Sequence, residues 1–108
     1  MKKFDANYEL LAEMYRDEYF PDFLVDKVKE LIQNVIDFLE TGERDIERVQ
    51  RKFDEMTLAI NALEEEFEEN DSELETVARD SIGVTVMYIL KWFDLDLDVE
   101  DAIQEREW

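Results

Sequence analysis

The stretch DLDLDVEDAIQE, residues 94–105, sets acids at its first, third, fifth and twelfth positions: Asp94, Asp96, Asp98 and Glu105. Those are positions from which a helix–loop–helix calcium site draws oxygen ligands. Such a loop also needs a sharp turn at its sixth position, usually a glycine. Here that position is Val99, a β-branched residue for which a positive φ is a steric outlier. The eighth position, where an apolar anchor is usual, is Asp101. Another reading covers the same residues: Asp98 caps a closing helix, Glu100 and Asp101 sit at its positive end, and Leu95 and Leu97 pack inward.

A second carboxylate pattern lies at Glu65-x-x-Glu68 and Glu66-x-x-Glu69, one half of the magnesium-binding spacing that helical nucleotide pyrophosphatases use. Eight acids fall within the twelve residues from Glu64 to Glu75, so the spacing arises by density alone. No matching Glu-x-x-Asp stands out on the helices that flank it. Histidine and cysteine are both absent. That excludes ordinary zinc sites, Glu-x-x-His di-iron centres, Ser-His-Asp triads and cysteine nucleophiles. Glycines occur only at 42 and 83, too isolated for a phosphate-cradling loop. The expectation is a protein without catalytic residues or a cofactor, with a magnesium-dependent hydrolase as the minor rival.

These acids must be held by helices. A chain of 108 residues with 45% apolar side chains, two glycines and one proline has the composition of one helical domain. Leu10, Leu11, Met14 and Tyr15 predict a first helix, capped by Asp5 or Asn7 and ending before Pro21. Pro21 then reads as a first-turn residue of a second helix, whose stripe runs from Leu24 through Ile32 to Leu39 and stops at Gly42. Ile46, Val49, Phe53, Met56, Ile60, Leu63 and Phe67 alternate three and four apart. This third helix fits antiparallel bundle packing, with coiled-coil dimerisation as the alternative. Ser72 and Glu75 form a capping-box pattern before a fourth helix that reaches about Phe93. Its second half is apolar nearly all round, the pattern of a buried central helix, and Gly83 within it implies close helix approach. A last helix from Val99 to about Glu107 turns Ala102 and Ile103 inward. The predicted fold is therefore all-α: a single-domain bundle of four to five helices, largely antiparallel, over residues 1–108.

The net charge is −19, and residues 64–108 hold 16 acids against three bases. Such a surface disfavours nucleic acid and anionic membranes and attracts a basic protein. The residues read as partner-binding are Glu65, Glu66, Glu68, Glu69, Asp71 and Glu73, together with Tyr15 and Tyr19 from the aromatic run MYRDEYFPDF. Rigid amphipathic rings make interaction hot spots; the structural alternative has Phe20 and Phe23 plugging the base of the bundle. Arg44, Arg48 and Arg51 read as a surface stripe paired with neighbouring glutamates, and Arg79 with Asp80 as an internal ion pair. The N-terminus has no signal-like apolar region, and the longest apolar stretch is too short for a membrane span. A cytoplasmic monomer or homodimer is expected.

Three segments carry a resemblance: MYRDEYFPDFLVDK (Met14–Lys27), EFEENDSELETVARDSIG (Glu66–Gly83) and the closing REW (Arg106–Trp108). In them the chain resembles a small bacterial family of helical proteins that carries a domain-of-unknown-function label and no assigned activity. The resemblance implies a helical protein of the bacterial cytoplasm and transfers no catalytic residue. The segment after Gly83 is more aliphatic than the family pattern. The functional expectation is a non-catalytic acidic interaction module, or an immunity- or antitoxin-like inhibitor presenting its acids to a basic active site.

Overall fold

A computed structural model of the chain describes residues 2–108 and contains five helices, with no strand among them. They are α1 (Ala12–Arg16), α2 (Asp22–Glu40), α3 (Ile46–Glu69), α4 (Thr76–Trp92) and α5 (Val99–Ala102). The fold is all-α, as the periodicities predict.

The frame is the α2–α3 hairpin. Leu24, Val25, Val28, Ile32, Val35, Ile36 and Leu39 are buried on α2, facing Val49, Phe53, Met56, Ile60 and Phe67 of α3. The two run antiparallel: Lys27 near the start of α2 meets Glu66 near the end of α3, and Phe38 lies under Lys52. The α3 seam is thus satisfied within the chain, which removes the coiled-coil alternative for it. Its first member, Ile46, is exposed. Between the helices Gly42 takes φ 94, a left-handed stop that glycine adopts at no steric cost. Thr41 Oγ1 donates to the Phe38 carbonyl at 2.6 Å and Arg44 Nη1 to that of Leu39 at 2.9 Å, covering carbonyls the helix end leaves free. Asp45 caps α3 by accepting from the Glu47 amide at 3.0 Å.

The N-terminal segment differs from expectation. Only Ala12–Arg16 is helical, entered through Leu11 at φ 58 with no side-chain cap. Asp5 instead closes a local turn on the Asn7 amide and accepts from the Tyr88 hydroxyl at 2.6 Å. Phe4 packs edge-on against Tyr8, Tyr88 and Trp92, and Tyr8 stacks on Tyr88 at 4.2 Å. Trp92 Nε1 donates to the Lys3 carbonyl at 2.8 Å, and the Phe4 amide to Glu40 at 2.8 Å. Burying these rings against α4 outweighs the helix propensity of a short segment, for which nucleation alone is unfavourable.

The ends of α2, α3 and α4 also correct the sequence reading. Pro21 is the N-cap of α2, at ψ 132, one residue before the helix. Ser72 and Glu75 form no capping box: Ser72 is buried with its hydroxyl unpartnered, and Glu75 is an N-cap without a side-chain bond. Ser72 instead terminates α3. Its amide bonds to the Phe67 carbonyl and that of Asp71 to Glu68, with Asp71 at φ 57, the paired bonds of a Schellman motif. The same motif closes α4 through Asp94 at φ 54, with Leu95 bonding to Leu90.

The fourth helix is not buried all round. Ala78, Ile82, Val86, Ile89 and Leu90 face the core, but Val84 is 59% and Met87 48% exposed. No neighbour lies within 4 Å of where a Cβ on Gly83 would stand, so no helix approaches closely there. Arg79 and Asp80 are both exposed and form no ion pair with each other. Helix α5 is shorter than expected, and Asp98 is its N-cap without a side-chain bond. The tail beyond it is pinned to α3 by Asn61, which donates to the Glu105 carbonyl at 2.8 Å and accepts from the Glu107 amide at 3.0 Å. Ala102, Ile103 and Trp108 are buried there. No helix among the described residues is long and apolar enough to cross a membrane.

Candidate functional site

Two chain reversals meet at one corner of the bundle. In the first, between α1 and α2, Asp17 accepts from the Tyr19 amide at 3.0 Å and from the Phe20 amide at 3.1 Å. Adjacent residues then point opposite ways: Phe20 is buried and Tyr19 is 41% exposed. Phe23, one turn further on, is 49% exposed rather than plugging the bundle. The structural alternative had both Phe20 and Phe23 plugging the base of the bundle; only Phe20 does, with the extended backbone of Pro21 (ψ 132) between them.

The second reversal joins α3 to α4. Ser72 and Leu74 turn inward, leaving Asp71 and Glu73 exposed and Glu75 half-buried. The two reversals are close enough to couple electrostatically. The Tyr19 hydroxyl is pushed above its ordinary value, first by desolvation and then by the Glu73 and Glu75 carboxylates. Lys27 bridges the rest of the corner: its Nζ bonds both oxygens of Glu66, at 2.9 and 2.7 Å, and lies 5.9 Å from the Phe23 ring centre.

The acid run on α3 does not form one face. Successive helical residues point about 100° apart, so Glu64, Glu65 and Glu66 go three ways. Glu65, Glu68 and Glu69 are exposed and form no ion pair among the described residues, whereas Glu66 is neutralised by Lys27. Glu64 turns toward the C-terminal tail. One of its oxygens is buried without a partner, and its carboxyl is held above the usual range by desolvation, then by Glu107 and Glu68. The signal for Glu64 was its position, four after Ile60 and three before Phe67 on the apolar side of α3. Tyr15 stands apart from these acids. Its hydroxyl bonds Asp26 on α2, and it is raised well above the ordinary phenol range, by burial first and that bond second. It lines a cleft of about 650 Å³ with Phe4, Tyr8 and Lys29.

The acids at 94–105 also diverge. Asp94 is the left-handed residue closing α4, while Asp96 and Asp98 are exposed on alternate positions with Leu95, Leu97 and Val99 turned toward the core. Among the described residues no three carboxylates gather as a metal ion requires. Of the arginine stripe, Arg48 pairs with Glu43 at 3.6 Å, while Arg44 caps α2 and packs over Phe93.

Fold and corner define a small acidic helical bundle with an aromatic-centred surface. The chain belongs to a family of unknown function, DUF5713, whose sequence profile matches residues 4–108. No curated protein and no solved structure matches it.

Proposed function

We propose that this chain is a non-catalytic interaction module of the bacterial cytoplasm that binds a basic segment of another protein at the Tyr19–Phe23 corner. One observation carries the reading: Tyr19 and Phe23 stand half out of water, and the Glu73 and Glu75 carboxylates lie close enough to act on the Tyr19 hydroxyl. Binding energy at interfaces concentrates in central aromatic residues, and a charged rim contributes steering and register. Glu65, Glu68 and Glu69 extend that rim along α3. The bacterial cytoplasmic setting follows from what the family resemblance implies. An inhibitor of the immunity or antitoxin type is the special case in which the basic segment lines an active site.

The test is retention from bacterial lysate on wild-type protein, on a Tyr19→Ser/Phe23→Ser variant, and on an equally acidic helical control, with a salt wash. A basic protein held by the wild type alone and released by salt is the expected result. Equal retention by the double variant, or nothing above the control, overturns the reading.

A further inference from the structure

We infer that the exposed face of α4 docks a second copy of this chain about a two-fold axis. Four residues along that face, Asp80, Val84, Met87 and Lys91, follow the four-three-four spacing of a helical seam. Val84 and Met87 are the exposed apolar pair noted above, and Asp80 and Lys91 are exposed at either end. Neither charge forms an ion pair or side-chain hydrogen bond with any described residue. Lys91 is one of several bases without a carboxylate among the described residues, and it is the one that continues the line of Val84 and Met87 on α4.

The order acid, apolar, apolar, base is self-complementary when reversed. Lay a second α4 antiparallel on the first, with the two-fold axis passing between positions 85 and 86. Val84 then faces the second copy's Met87, and Asp80 faces its Lys91. The axis repeats both contacts, as an isologous interface requires. The seam spans roughly 16 Å of helix at ~1.5 Å per residue. Open space beside Gly83 lets the facing backbone approach. A cleft of about 590 Å³ between α4 and α5, walled by Val99 and Ile103, flanks the ridge, and ridges of one helix seat in such grooves of another. A seam this short makes a concentration-dependent dimer, and it uses a face separate from the Tyr19–Phe23 corner.

The experiment is sedimentation or light scattering over a concentration series. The wild-type mass should climb from 13.0 kDa toward twice that value. Asp80→Lys sets lysine against lysine and Lys91→Asp sets acid against acid, so each single variant stays monomeric. The double variant restores both pairs and dimerises again. Met87→Glu gives an independent route, abolishing the dimer while leaving the helical circular dichroism unchanged. A wild type monomeric at every concentration overturns the inference. So does a single swap or Met87→Glu that still dimerises, or a folded double variant that does not.

Discussion

Replacing Gly83 with alanine should stabilise the protein, although the glycine sits in the middle of an otherwise aliphatic helix. Glycine in a helix interior is about 1 kcal/mol less favourable than alanine, because it loses more backbone freedom on folding. That gain is realised only if the new methyl group meets nothing and the backbone is an ordinary helical one. Both conditions hold: the added Cβ has no neighbour within 4 Å, and Gly83 lies within α4 and is not left-handed, unlike Gly42. For a domain of this size ~1 kcal/mol corresponds to about 4 °C in melting temperature. Thermal melts followed by circular dichroism at low micromolar concentration read the monomer. An unchanged or lower melting temperature would refute the reasoning, because it would mean that the helix is distorted or covered at this point.

Glu64→Gln should raise stability at neutral pH. The folded carboxyl lies above its ordinary value of 4.5, so its contribution is present below that value and lost as pH rises through the folded one. Melts at pH 7 should therefore favour the variant, with the difference closing below about pH 4.5; a variant less stable at pH 7 contradicts this. Tyr88→Phe has the opposite profile. Asp5 is held below 3.8, chiefly by the Tyr88 hydroxyl, so the lost stability should be seen at neutral pH and fade as pH falls through the folded value. An equal loss at pH 7 and pH 3 would assign the effect to ring packing instead. Raising salt from zero to about half-molar should increase the melting temperature, since screening relieves repulsion among uncompensated acids. A falling melting temperature would show that the six ion pairs among the described residues outweigh that repulsion.

What the sequence revealed is what helix-on-helix packing writes into it. The stripe on α2 and the seam from Val49 to Phe67 are legible because each helix is long enough for its buried positions to repeat several times. The N-terminal segment has Leu10, Leu11, Met14 and Tyr15 at helical spacing, yet its conformation is decided by Tyr88 and Trp92, more than 70 residues away. A local pattern cannot register that. Ser72 and Glu75 illustrate a different failure, since a polar residue before a helix can either cap it or end the preceding one. The Schellman bonds from Asp71 and Ser72 took the second option. At the corner, the acids were legible as composition, but their directions were not. Helical geometry sends Glu66 to Lys27 and Glu64 to the tail, leaving a thinner acidic rim than the letters imply.

Val84 and Met87 read as core because apolar residues surround them in sequence, yet both stand exposed on α4. An exposed apolar pair flanked by one acid and one base is simple to cover with itself, because the two-fold reversal sets each charge against its opposite. An antiparallel α4 pair has a functional consequence. The N-terminus of each α4 lies beside Glu73, Glu75 and Tyr19, so a two-fold dimer carries two acidic corners at opposite ends of the seam. With the axis between positions 85 and 86, the two helix starts at Thr76 lie roughly 28 Å apart along the seam at ~1.5 Å per residue. Two basic segments linked at that distance would bind far more tightly than either alone, because the second event becomes intramolecular. A monomer bearing one corner would show no such gain. The dependence of partner affinity on Asp80 and Lys91, residues outside the corner, therefore couples the two surfaces in one measurement.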